Sequence, residues 1–64
     1  MELGSYYRYE HGNERISIIF VYEIGKREFI PEGMQTCAFG VNIQDSSDIR
    51  KIPHYYWQYW TKVE

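Results

Sequence analysis

The sequence predicts an all-β fold, a small antiparallel five-stranded barrel or coiled sheet. Three observations predict it. The longest apolar run, Arg15 to Ile24, is rich in the β-branched and aromatic residues that fit a pleated surface. A second stretch, Met34 to Gln44, alternates cleanly between two faces. Gly, Pro, Asn and Asp punctuate the chain between these runs, as turns require.

Ser5 to Glu10 reads as a first strand, with Tyr7 and Tyr9 on one face and Tyr6, Arg8 and Glu10 on the other. His11-Gly-Asn-Glu14 is a turn, because Gly and Asn tolerate the positive φ of tight hairpins. Arg15 to Ile24 follows as the central strand. Ile16, Ile18, Phe20, Tyr22 and Ile24 form a wholly apolar face, while Arg15, Ser17, Ile19, Val21 and Glu23 form a face apolar only at its centre. A strand covered fully on one side and partly on the other looks like this. Gly25-Lys26 suits a two-residue type II′ turn, which makes Arg27 to Ile30 a short third strand. Pro31-Glu32-Gly33 then closes it.

Met34 to Gln44 is a half-buried strand. Gln35, Cys37, Phe39, Val41 and Ile43 share one face, and Met34, Thr36, Ala38, Gly40, Asn42 and Gln44 the other. Gly40 inside it suggests a bulge or bend. Asp45-Ser-Ser-Asp48 is a polar loop, and Ser47 to Ile52 fits one helical turn stopped by Pro53. The last segment, His54 to Glu64, reads as a strand, with Tyr55, Trp57, Tyr59, Thr61 and Val63 on one face. A helix would instead gather Ile52, Tyr56, Trp60 (or Tyr59) and Val63. Size and pattern place the whole nearest an SH3-like barrel, then an OB-like one or a sheet with one short helix.

Sixty-four residues make one domain. A chain this short buries only about 60% of its unfolded surface, so its stability is marginal. With Cys37 its one cysteine, it has no intrachain disulfide, and no Cys/His cluster suggests zinc. The fold therefore rests on apolar side chains. Twelve of these are aromatic, more than so small an interior can hide, so some should reach the surface and mark an interaction site.

Net charge is −2, and most of the seven basic residues have acidic neighbours. No basic stripe emerges, and nucleic-acid binding normally needs one. The longest apolar run is far short of the roughly 20 residues that span a bilayer. Met1-Glu-Leu-Gly4 has neither a basic start nor an apolar signal core, and an unpaired cysteine suits a reducing cytoplasm.

The chemistry-bearing residues are few. Cys37 shares its face with Phe39 and Val41, which predicts a buried, inert thiol rather than a nucleophile. Nothing in their spacing brings His11, His54 and Cys37 together as metal ligands. The pairs Glu10/Glu14 and Asp45/Asp48 read as solvated turn residues, with Asp45 accepting backbone N–H bonds. No enzyme, cofactor or metal is expected. The strongest signal is Tyr55-Tyr-Trp-Gln-Tyr-Trp60, whose aromatics alternate faces in a strand. With Tyr55, Trp57 and Tyr59 inward, His54, Tyr56, Gln58, Trp60 and Lys62 face out, and Tyr6 joins them if the termini pair. Tyr and Trp dominate protein–protein hot spots. The leading expectation is a small non-enzymatic protein-binding module acting through this aromatic surface, of the kind viral or mobile-element genomes encode as accessory or inhibitor proteins. A nucleic-acid-binding SH3/OB-like barrel and a homo-oligomeric structural subunit are the alternatives.

Overall fold

The computed structural model describes residues 1–10 and 16–64. The turn expected at His11 to Glu14, and Arg15, lie outside the described residues. Five strands are present: β1 (Tyr6–Tyr9), β2 (Ser17–Phe29), β3 (Gly33–Asn42), β4 (Asp45–Pro53) and β5 (Trp60–Val63), with a 3-10 helix (His54–Tyr59) between the last two. All pairings are antiparallel, and the strand order is β4-β3-β2-β1-β5. The sheet coils into a body of 30 × 25 × 23 Å without closing, because β4 and β5 do not pair. The expected all-β fold is therefore a coiled sheet rather than a closed barrel, and the chain termini pair as anticipated through β1 and β5.

Gly25-Lys26 is not a turn. The β2–β3 ladder runs straight through Gly25↔Cys37 and Lys26↔Thr36 to Phe29↔Gly33. Arg27 to Ile30 is accordingly not a separate strand; most of it is the far end of β2. The reversal occurs at the Pro-Glu-Gly segment, where Gly33 takes φ +85°, a value only glycine adopts without strain. Turning there makes one long hairpin and sets Ile24 opposite Ala38 inside the core. Gly25 serves a different purpose. A Cβ on it would lie 3.2 Å from the Arg27 guanidinium, which folds back along the strand to reach Glu23 at 2.8 Å.

The core consists of Tyr7, Ile19, Val21, Ala38 and Ile52, with Met1, Ile24, Trp57 and Trp60 packed against it. Hence the inward face of β2 is Ile19 and Val21, both at 0% exposure, and not the wholly apolar face that the sequence favoured. Ile16 and Tyr22 are exposed. The register shifts between Val21 and Glu23, and this bulge returns Ile24 to the core side. On β3, likewise, Ala38 faces the core cluster while Phe39 and Val41 are only half-buried. Cys37 is fully buried, as expected, with its thiol 3.6 Å from the Gln35 carbonyl.

The bulge falls on β2 directly across from Gly40, whose partner is Val21 while that of Phe39 is Glu23. Gly40 also permits close approach. A Cβ there would meet Ile19 Cδ1 at 2.5 Å and Ile19 Cβ at 3.1 Å.

The expected helical turn over Ser47 to Ile52 is strand β4. Asn42 explains the difference. Its Oδ1 accepts the Gln44 N–H at 2.9 Å, and its Nδ2 donates to Asp48 at 3.1 Å, so it locks a tight hairpin that carries the chain back along β3. In the strand Ile52 enters the core and Ile49 is left exposed, whereas a helical turn would have placed them together.

Candidate functional site: an aromatic ridge between two grooves

β4 ends at one edge of the sheet and β5 begins at the other. Residues 54–59 bridge these edges, so they cannot continue a ladder. Pro53, at φ −61° and ψ 151°, leads into the 3-10 helix. A 3-10 helix repeats every three residues, so side chains at i and i+3 align. Trp57 and Trp60 thus form one row that packs on the core. Tyr56 and Tyr59 form another row, exposed, with ring centroids 6.2 Å apart. The Trp57 indole N–H donates to the Ile52 carbonyl at 2.9 Å, and His54 meets the Trp57 ring edge-on at 4.7 Å. Trp60 lies against Tyr9 with centroids 5.0 Å apart.

This arrangement corrects the strand expected over His54 to Tyr59; only Trp60–Val63 is strand. Tyr55 and Tyr59 do not pack inward but are exposed, and Trp60 does not face out but is half-buried.

Two grooves flank the helix. The first, about 500 Å³, runs between Tyr9 and Trp60 on one wall and Arg50, Lys51, Ile52 and Pro53 on the other, beneath Tyr56 and Tyr59. It is the seam at which the sheet fails to close. The second, about 610 Å³, is lined by Phe29, Ile30, Glu32, Gln35, Pro53, Tyr55 and Tyr56. Tyr56 and Pro53 belong to both. Tyr56, 51% exposed and edge-on to Tyr55 at 5.2 Å, is the ridge between them.

Of the expected partner-binding residues, the structure brings Tyr56 and Trp60 together in the first groove. Tyr6 does not join them. It is opposite in direction to its neighbour Tyr7, which enters the core, and stacks on Phe20 at 5.1 Å. Gln58 is exposed and donates to the Tyr55 carbonyl at 3.1 Å. The Lys62 ammonium is held by Glu2 at 2.9 Å and by no groove residue. Tyr9, Tyr59 and Pro53 are site residues that the strand reading missed. The spacing of three between Trp57 and Trp60, just after a proline, was the available signal.

The charges are mostly spent within the chain. Arg8 lies 3.9 Å from Glu10, Arg27 2.8 Å from Glu23 and Arg50 3.0 Å from Asp48. Lys51 sits 4.8 Å over the Phe29 ring. Asp45 accepts the Ser47 N–H at 3.0 Å as expected, although Asp45 to Asp48 begin strand β4 rather than form a loop. Among the described residues no cluster of three His, Cys, Asp or Glu is arranged to hold a metal, and His11 and Glu14 lie outside them. No helix is long and apolar enough to cross a membrane among the described residues.

Hydrogen bonding from Lys62 holds the Glu2 carboxyl below its ordinary 4.5, and Arg50 with Asn42 holds Asp48 below 3.8. Glu2 in turn raises the Lys62 ammonium above 10.5. The unfolded chain binds more protons at acid pH, so the carboxylates' contribution is present above their ordinary values and lost as pH falls through their lowered ones. The Lys62 contribution is present below 10.5 and lost as pH rises through its raised value. The expected result is a thermal midpoint that falls below about pH 4.5, with Glu2→Gln flattening that decline. Circular dichroism melts across pH measure it, and an unchanged profile in Glu2→Gln would show that the pair contributes nothing.

The other face of the sheet is apolar as well. Val63, Tyr6, Phe20, Val41 and Ile49 are register partners, one from each strand, in an unbroken row across the sheet. Val63, Tyr6 and Ile49 in that row are exposed.

Comparison with protein-family models, with curated proteins and with solved structures finds no match to this chain.

Proposed function

We propose that the chain is a non-enzymatic binding module that captures an extended segment of another protein across Tyr56. The observation that carries this reading is the pair of grooves sharing that one exposed tyrosine. An extended segment laid over the ridge would set side chains into both grooves at once. Aromatic-lined grooves recognise extended peptides in this manner, since rigid rings bury large area at small entropic cost. An inhibitor or adaptor acting by occupying such a segment fits this surface, and the lone buried thiol suits a reducing cytoplasm.

Capture from lysate at low and high salt, with nuclease, tests it. Wild type should retain a stoichiometric protein that survives salt and nuclease, and Tyr56→Ala should lose it with an unchanged far-UV spectrum. Tyr56 is the residue to replace because Trp60 packs on the core, where truncation would also destabilise the fold. Equal capture by Tyr56→Ala would overturn the reading.

A second reading, a homo-oligomeric subunit, is favoured by the apolar row on the outer face. It predicts that Ile49→Lys converts an oligomer to monomer in sedimentation experiments; a monomeric wild type would remove it. Nucleic-acid binding has less support, because Arg8, Arg27, Arg50 and Lys62 each lie on an acid of the same chain.

A further inference from the structure

We propose that the second groove receives a cationic side chain, arginine or lysine, carried by the segment that the aromatic ridge captures. This rests on the reading above and adds the chemistry of what is recognised. The groove combines three aromatic rings, Phe29, Tyr55 and Tyr56, with one carboxylate, Glu32. Ring faces attract cations, and a carboxylate at the rim completes the pairing. Glu32 is exposed, and among the described residues no Lys or Arg makes an ion pair with it.

The walls suit the rest of such a side chain. Ile30 is 91% exposed and Tyr55 66%, an unusual state for large apolar groups. The aliphatic stem of an arginine or lysine would cover them while its head reached Glu32. Phe29 already takes a cation on its ring, the Lys51 ammonium at 4.8 Å. That charge keeps an incoming cation to the side of the groove formed by Tyr55, Tyr56 and Glu32. Glu32 is the charged residue in the lining of the second groove, and its carboxylate is the complement that selects a basic side chain there. The net charge of −2 acts in the same direction at longer range.

Selection from a displayed library of random short peptides, on wild type, Glu32→Gln and Tyr56→Ala, tests the inference. Wild type should enrich peptides with Arg or Lys at one fixed position. Glu32→Gln should weaken them about five- to tenfold, and replacing the basic residue by Gln in the peptide should cause a similar loss, with little further effect of the two changes combined. Tyr56→Ala should enrich none. Peptides enriched without a basic position, or bound equally by Glu32→Gln, would overturn the inference and leave the ridge as a peptide site. No enrichment by wild type over Tyr56→Ala would overturn the ridge reading and the inference with it. A dimer of the chain that Tyr56→Ala abolishes would overturn both by making a second copy the occupant.

Discussion

Trp57→Ala is expected to cost about 3 kcal/mol, the low end for a large aromatic removed from a core, because the ring is half-buried against it. At about 0.05–0.15 kcal/mol per residue, 64 residues have about 3–10 kcal/mol in total, so the variant should lose a large share of its stability. Two contributions combine at this residue. Its ring packs against the cluster of Tyr7, Ile19, Val21, Ala38 and Ile52. Its indole N–H also satisfies the Ile52 carbonyl at 2.9 Å, on a strand that forms one edge of the sheet. Trp57→Phe separates them. It keeps most of the ring and loses the hydrogen bond, for an expected cost of about 1 kcal/mol plus the small cavity left behind. Urea titrations of the two variants measure the difference. Native stability in Trp57→Ala would show that the 3-10 helix does not anchor through this side chain.

Gly40→Ala is expected to cost about 1–3 kcal/mol, although alanine is ordinarily a mild replacement in a strand. The new Cβ would stand 2.5 Å from Ile19 Cδ1 and 3.1 Å from Ile19 Cβ, and Ile19 is at 0% exposure with no room to retreat. Ile19→Val removes Cδ1, the closest atom. Alone it should cost about 0.5–1.5 kcal/mol, and in the Gly40→Ala background it should recover part of the loss, since the contacts at 3.1 Å to Ile19 Cβ and Cγ1 remain. The double-mutant cycle should therefore show coupling of about 1 kcal/mol or more. Simple additivity would mean that Gly40 is required for some reason other than the approach of Ile19.

Much of the candidate site was visible in the sequence as composition and little of it as geometry. Tyr56 could be read as an exposed aromatic because six neighbouring residues hold five rings, more than one core face accepts. Strand alternation, a period of two, gives its neighbours the wrong faces. The structure uses a period of three, which turns both tryptophans inward and releases Tyr55 and Tyr59. Aromatic residues favour strands only when a strand is available to pair with, and residues 54–59 cross between sheet edges where none is. Pairing of the termini alone would group Tyr6 with Tyr56. That pairing is real, but strand alternation sends Tyr6 to the opposite face from Trp60's partner Tyr9.

The sequence by itself determined the fold class, the Pro-Glu-Gly reversal, the burial of Cys37 and the presence of surface aromatics. These follow from local propensity and alternation, which act over a few residues. Only the tertiary structure decided which face of β2 is the interior. Counting apolar residues favoured Ile16, Ile18, Phe20 and Tyr22, yet Ile19 and Val21 are inside, because Gly40 opens space opposite them and Tyr7 and Ile52 close it. Likewise, only the sheet order decided that Gly25 continues a strand and that residues 54–59 must turn. Both outcomes depend on which distant strand lies alongside, and no window of neighbouring residues contains that information.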